Sequence, residues 1–191
     1  MKKIFRKRGN RYLVAFLVMF FMLISMTVQP MMTNTFGKEI TIKTKPFDPR
    51  DVFRGDYVQL YYDINDITLD RLEDRILNMK DKKEDYDPFK VLRGKKLYVT
   101  LKEDKGFYIV DKVTLKKPKD GIFIMAKYSH PVFVENTNGK ITGIAVDYRL
   151  NKYFLPENTG KELEQKALQG EIYAKIKVYR GYSLLREIYP K

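Results

Sequence analysis

Asp56–Ile64 reads DYVQLYYDI, and this stretch decides the fold class. In an extended chain Val58, Leu60, Tyr62 and Ile64 fall on one face, and Tyr57, Gln59, Tyr61 and Asp63 on the other. Upstream, Glu39–Thr44 alternates in the same way. Downstream, strands are expected over Lys96–Leu101, Phe107–Leu115, Gly121–Tyr128, Ile141–Tyr148, Glu171–Arg180 and Ser183–Tyr189. Lys119-Asp120-Gly121 and Asn138-Gly139 are turn signals, the second a hairpin candidate, and Ser129-His130-Pro131 reads as a further turn. Leu69, Leu72, Ile76 and Leu77 in 68–80 fall at helical spacing, and Thr159-Gly160-Lys161-Glu162 fits a capping box opening a helix that ends before Gly170. The expected fold is mainly β, a β-rich α+β domain built as an antiparallel sandwich or open barrel with two short helices.

Outward to the N-terminus the chemistry changes. Residues 12–32, YLVAFLVMFFMLISMTVQPMM, carry no charge, whereas residues 1–11, MKKIFRKRGNR, carry six Lys or Arg and no acid. Twenty-one helical residues rise about 32 Å, close to the ~30 Å hydrocarbon core of a bilayer. A cleaved signal would have a shorter apolar run and small residues at a cut site; none follows here. The expectation is an uncleaved single-pass anchor over 12–32, with a basic cytoplasmic tail at 1–11, Pro30 near the outer end, and an extracytoplasmic domain at 33–191.

The tail holds six units of the net +13, leaving +7 for the remainder. There the basic residues are interleaved with all 24 acids, as in KEDK and DKKED, so a solvated lysine-rich surface is the commoner explanation. No nucleic-acid motif accompanies it, and no nucleic-acid partner is expected. An anionic envelope polymer stays open as a loosely attracted partner. Absence of cysteine excludes disulfides, thiol catalysis and Cys–zinc sites, and the single histidine, His130, makes a metal site improbable. No cofactor or metal is expected.

A repeat lies inside the domain. Phe47-Asp48-Pro49-Arg50-Asp51-Val52-Phe53-Arg54-Gly55 recurs as Tyr86-Asp87-Pro88-Phe89-Lys90-Val91-Leu92-Arg93-Gly94, with a weaker echo at Val178-Tyr179-Arg180-Gly181. A generic device of cap, proline, helical turn, glycine and strand explains the pattern as well as duplication does. On the duplication reading, Arg54 and Arg93 occupy equivalent places beside paired strands.

Gly55-Asp56-Tyr57-Val58-Gln59-Leu60-Tyr61-Tyr62 resembles the motif that names the GDYXXLXY family of bacterial membrane-anchored proteins. Tyr153-Phe154-Leu155-Pro156-Glu157-Asn158-Thr159-Gly160 is similar to a second segment of that family. The resemblance implies a membrane bilayer and a multi-spanning membrane-protein partner, without implying a chemistry.

The candidate binding or motif residues are Asp48, Arg54, Gly55, Asp56, Tyr57, Leu60, Tyr62 and Arg93, together with Tyr153, Pro156, Glu157, Thr159 and Gly160. Paired carboxylates such as Asp56 and Glu157 suit acid–base work, and arginines suit bidentate anion binding. Caps and turns account for the same residue types, so no catalytic residue is assigned. Three functions follow as expectations: a non-enzymatic binding or accessory module, an envelope hydrolase or transferase, and a polyanion-binding module.

Overall fold

The computed structural model describes residues 8–45, 57–81, 86–133, 140–154 and 172–190. The chain begins with helix α1 (Arg8–Phe36) and continues through strands β1 (Lys38–Lys45), β2 (Tyr57–Gln59), β3 (Tyr61–Tyr62) and β4 (Asp66–Thr68). A short helix α2 (Asp74–Leu77) follows, then β5 (Lys96–Asp104), β6 (Phe107–Thr114), β7 (Ile122–Phe133), β8 (Ile141–Asp147), β9 (Lys152–Phe154), β10 (Ile172–Tyr179) and β11 (Tyr182–Pro190). The fold is β-rich α+β, with curved and mostly antiparallel sheets forming a half-barrel and a nearly closed barrel.

Strand order is β11-β10-β1-β3 in one sheet and β4-β8-β7-β5-β6 in the other, with β2 and β9 paired separately. Period-two patterning drives these elements. In β10, Ile172, Ala174, Ile176 and Val178 are buried while the residues between them are half-exposed. In β5, Leu97, Val99 and Leu101 point inward, and in β1, Ile40, Ile42 and Thr44 do so. The two inner faces share one core, in which each buried Ile or Leu contributes about 1.5–3 kcal/mol of transfer free energy.

Helix α1 is long and apolar enough to cross a membrane, and its most apolar 18-residue window, with mean hydropathy 2.1, is not buried against the domain. It starts before residue 12 and runs straight through Pro30, which therefore does not mark its end. Proline removes one ladder hydrogen bond, but the turns on either side remain closed. The last turn is docked. Thr33 is fully buried, the Gly37 N–H donates to the Thr33 carbonyl at 2.9 Å, and the Phe36 and Tyr179 rings lie 6.2 Å apart. The helix has no basic residue in its last turn, and Lys177 of β10 supplies one: its Nζ donates to the Asn34 carbonyl at 2.7 Å. A cation there satisfies an orphan carbonyl and the negative end of the helix dipole. Gly37 alone separates α1 from β1, where the sequence placed the anchor's end at residue 32 and the strand's start at Glu39. A Cβ on Gly37 would come within 2.3 Å of the Thr33 carbonyl oxygen, which explains glycine at the joint.

Other expectations are corrected. Residues 68–80 do not form one helix. Asp66–Thr68 pairs with β8, a 3-10 turn follows at Leu69–Arg71, and only Asp74–Leu77 is α-helical. Tertiary pairing wins over local spacing: Leu72 bridges to Val113, and the Glu73 N–H donates to the Val113 carbonyl at 3.0 Å. Leu72 and Ile76 reach the core without a continuous helix. Ser129-His130-Pro131 is not a turn either; β7 runs through it with a bulge at Ser129. The bulge shifts the face, so that Pro131 is buried after the exposed Ser129 and His130. Lys119-Asp120-Gly121 does turn the chain, but it joins β6 to β7 across β5 rather than within a hairpin. The Asn138-Gly139 turn, the helical turn at 48–51 and the helix after Thr159 lie outside the described residues.

The echo at Val178–Gly181 is the β10–β11 hairpin turn, with Arg180 and Gly181 at φ 50° and 88°. Its tip ties the two sheets together, since the Met125 N–H donates to the Gly181 carbonyl at 2.8 Å. A Cβ on Gly181 would sit 2.5 Å from Phe123 Cε2, whereas one on Gly106, at φ 84° in the β5–β6 turn, would meet nothing within 4 Å. Gly106→Ala should therefore cost only backbone strain, about 1–2 kcal/mol. Gly181→Ala should add overpacking and cost about 2–5 kcal/mol in all. Denaturant unfolding of the full chain in neutral detergent measures both; equal costs would show that the hairpin tip is not clamped.

Candidate functional site

The family-like motif is placed by its own backbone. Strands β2 and β3 form one nearly continuous run, and the Leu60 N–H between them donates to the Asn151 carbonyl at 2.9 Å. The first half pairs with β9, matching Tyr57 to Phe154, Val58 to Tyr153 and Gln59 to Lys152. The second half pairs with β1, matching Tyr61 to Lys45 and Tyr62 to Thr44. Of the two sequence segments singled out, the described residues Tyr57–Gln59 and Tyr153–Phe154 are thus brought together on neighbouring antiparallel strands.

The alternation read from DYVQLYYDI holds at its described positions. Leu60, Tyr62 and Ile64 are buried, while Tyr61 is half-exposed and Asp63 exposed. Leu60 and Tyr62 are therefore core residues rather than ligand contacts. The Tyr62 hydroxyl donates to the Leu150 carbonyl at 2.7 Å, and its N–H donates to Asn65 Oδ1 at 2.7 Å. Asn65 Nδ2 in turn donates to the Val146 carbonyl, and the Tyr148 hydroxyl donates to the Ile64 carbonyl, each at 2.7 Å. These bonds fasten 60–65 onto 146–151. Among the described residues, no buried side-chain polar atom lacks a partner.

On the half-exposed side, Asp66 accepts from the Tyr61 hydroxyl at 2.5 Å and from Lys45 Nζ at 2.8 Å. Partial burial raises the Tyr61 pKa well above its ordinary value, and the hydrogen bond to Asp66 and its negative charge raise it further. Desolvation also raises Asp63, opposed by Lys45 and Lys43 and reinforced by Asp66. Tyr61 was not among the candidates; its place opposite Lys45 depends on β1 pairing, which a local pattern does not show.

The second repeat unit is organised by one buried carboxylate. Asp87 accepts from the Tyr128 hydroxyl and from Arg93 Nη2, the latter at 2.8 Å. Asp87 is not a helix cap: the 3-10 turn Lys90–Leu92 has no side-chain cap. Arg93, with a side chain 58% exposed, closes its own loop and is not a free anion clamp. Gly94 and Gly181 both have positive φ, at 78° and 88°, but Arg93 has φ −57° where Arg180 has φ 50°, so Arg93-Gly94 and Arg180-Gly181 are different turns. Tyr98–Leu101 in β5 pairs on both edges, with β6 and β7, whereas among the described residues Tyr57–Gln59 pairs with β9 alone.

Asp48, Arg54, Gly55, Asp56, Pro156, Glu157, Thr159 and Gly160 lie outside the described residues, and Tyr57 and Tyr153 are placed by their backbone alone. Ser129 Oγ approaches His130 Nδ1 at 3.0 Å. Both are exposed, and among the described residues no carboxylate is bonded to the imidazole. No group of three or more potential metal ligands occurs among the described residues.

The motif lies at the far end of β1 from α1. Lys38 begins β1 at the helix joint, and Lys45 at its other end pairs with Tyr61. Seven steps of strand span about 23 Å. The β2–β9 pair continues from that far end, so the motif is not held beside the helix exit.

Residues 19–188 match the family described as GDYXXLXY protein, which is most of the chain; the chain belongs to that family. No curated protein and no solved structure matches it.

Two predictions follow from these networks. Asp87→Asn should cost about 2 kcal/mol, because it leaves buried hydrogen-bond partners mismatched. Arg93→Ala should cost about 2–3 kcal/mol, because the guanidinium is itself solvated but its loss leaves the buried Asp87 carboxylate without its countercharge. A double-mutant cycle with Tyr128→Phe checks the coupling; additive effects would remove the network. Second, Tyr61, Tyr62, Tyr128 and Tyr148 are all held protonated, chiefly by burial. Raised folded pKa values favour the folded state below the ordinary tyrosine value of about 10, and that contribution is lost as pH rises through the raised values. Ultraviolet titration should show these four of the 14 tyrosines ionising only as the domain unfolds. Complete ionisation with the fold intact would contradict it.

Proposed function

We propose that this member of the GDYXXLXY family is a single-pass membrane protein whose extracytoplasmic domain is a non-enzymatic binding or accessory module. The observation that carries the reading is the one-residue joint at Gly37. Helix α1 has 29 residues and rises about 43 Å, more than the ~30 Å that hydrocarbon requires. Its surplus at the C-terminal end is packed on β10 and capped by Lys177. Such a joint fixes the orientation of the domain on the bilayer, and a fixed orientation suits a defined partner better than a search through a distant polymer. The basic tail retains the N-terminus in the cytoplasm.

In this reading the domain holds the β2–β9 pair off the helix exit and offers it to the extramembrane part of a membrane-protein partner or to an envelope component. A second reading has one observation in its favour: the pairing of β2 with β9 brings together the strands that flank Asp56 and Glu157. On that reading the two carboxylates act on an envelope glycan, and Asp56→Asn with Glu157→Gln abolishes activity without unfolding.

Because the chain has no cysteine, single cysteines report topology directly. A membrane-impermeant maleimide should label Lys116→Cys in intact cells and should leave Lys3→Cys unlabelled until the membrane is opened; the reverse pattern overturns the orientation. A photocrosslinker at Asp63, beside the motif strand, should give a discrete adduct in intact membranes, and one at Lys112 of β6 should not. Inserting a ten-residue Gly-Ser linker between Gly37 and Lys38 should weaken that adduct severalfold while leaving membrane insertion unchanged. An adduct indifferent to the linker would show that the rigid joint is irrelevant.

A further inference from the structure

The opposite end of the domain carries a cavity that the motif does not use. It has a volume of about 410 Å³ and lies between the start of β5, the middle of β7, the end of β8 and the start of β11. Lys96, Lys127, Asp147, Arg149, Tyr182 and Ser183 supply its polar lining. Three cationic side chains thus face one carboxylate. Asp147 is already engaged, accepting from the Arg149 N–H at 2.7 Å. Arg149 adopts φ 59°, a conformation unfavourable for a side-chain-bearing residue and held here by that bond.

The register makes the charge arrangement costly. Lys96 is directly opposite Lys127, and Lys127 is directly opposite Asp147. Like charges directly across a strand pair destabilise a sheet, and an anion bridging them removes the repulsion. Neither lysine forms an ion pair among the described residues, whereas Lys45, Lys102 and Lys175 do. Met125 and Ala126 give the cavity an apolar floor. Its place in the fold adds a second constraint. Tyr182 pairs with Tyr179, whose ring lies 6.2 Å from that of Phe36 at the end of α1. The cavity therefore lies at the end of the domain where α1 joins it.

The geometry points to a binding site for a phosphoryl group in this cavity, held by Lys96, Lys127 and Arg149. A phosphoryl oxygen set accepts from both ammonium groups and the guanidinium at once, and the apolar floor suits the glycerol or acyl part of an amphiphile. Two sources share this chemistry: the headgroup of an anionic phospholipid and a soluble phosphate ester. Only the choice between them rests on the membrane placement proposed above; the site itself does not.

Native mass spectrometry of the full chain in neutral detergent separates these sources. The probes are dioctanoyl phosphatidylglycerol, dioctanoyl phosphatidylcholine and glycerol 3-phosphate. The site predicts binding of at least one anionic probe and about tenfold weaker binding in Lys96→Ala/Lys127→Ala, with Lys112→Ala/Lys116→Ala unchanged. Charge-dependent binding of phosphatidylglycerol alone identifies a lipid headgroup; binding of glycerol 3-phosphate alone identifies a soluble ester. The conservative Lys96→Arg/Lys127→Arg variant should retain binding and separates loss of charge from loss of fold. Binding of neither anionic probe, or equal loss in both alanine pairs, overturns the site. A chain that binds as predicted yet shows the reversed maleimide pattern retains the site and loses only the topology.

Discussion

The structure depends on a splice. A 29-residue apolar helix passes through Gly37 directly into β1, and β1 is an inner strand, flanked by β10 and β3. The helix end cannot move without moving the sheet it feeds. Its C-terminal carbonyls would otherwise be orphaned, and the domain answers with Lys177 from the neighbouring strand. Thr33 is buried at the same contact and donates back to the Gln29 carbonyl, so its hydroxyl is satisfied within the helix. The helix and the sheet are therefore stabilised by each other at one place, and the orientation of everything beyond follows from it.

Two ends of the domain then acquire different characters. At the splice end lie the β10–β11 hairpin and the cavity with Lys96 and Lys127 facing each other. At the far end of β1 lie β3, β2 and β9, where the family motif resides. The link between the ends is the core itself, which draws on both sheets, and the hairpin tip, where Gly181 meets Met125. A single core of this kind transmits position well, because close-packed interiors do not deform continuously.

The sequence made legible whatever depended on period two. The strands from Lys96 onward, and the inward set of Leu60, Tyr62 and Ile64, could be read without contacts, because alternation decides which side is buried. It failed where pairing partners decided. Leu69, Leu72, Ile76 and Leu77 satisfy helical spacing, yet β8 recruits Asp66–Thr68 and Val113 recruits Leu72. The Ser129 bulge hides a strand behind a turn-like triplet, and β9 is too short for any periodic signal. For the site, the outcome divides in the same way. The motif leucine and second tyrosine were readable as inward positions, whereas the Tyr61–Asp66–Lys45 cluster required knowing that β1 lies beside β3.

The second repeat unit refines what the shared pattern encodes. Its aspartate was expected to cap a helical turn, but the carboxylate instead closes the loop on Arg93 six residues later and reaches across to Tyr128 of β7. An arginine so used is a fastening for its own turn, with its outer side solvated. The pattern Asp-Pro followed by Arg-Gly therefore describes, in this unit, a loop locked by a buried carboxylate before a strand begins. In this unit no ligand is needed to account for the three residues: aspartate and arginine neutralise each other, and the glycine supplies the φ 78° that lets the chain turn into β5. Anion recognition by this chain is then better sought where cations stand opposite one another without a carboxylate between them, as Lys96 and Lys127 do.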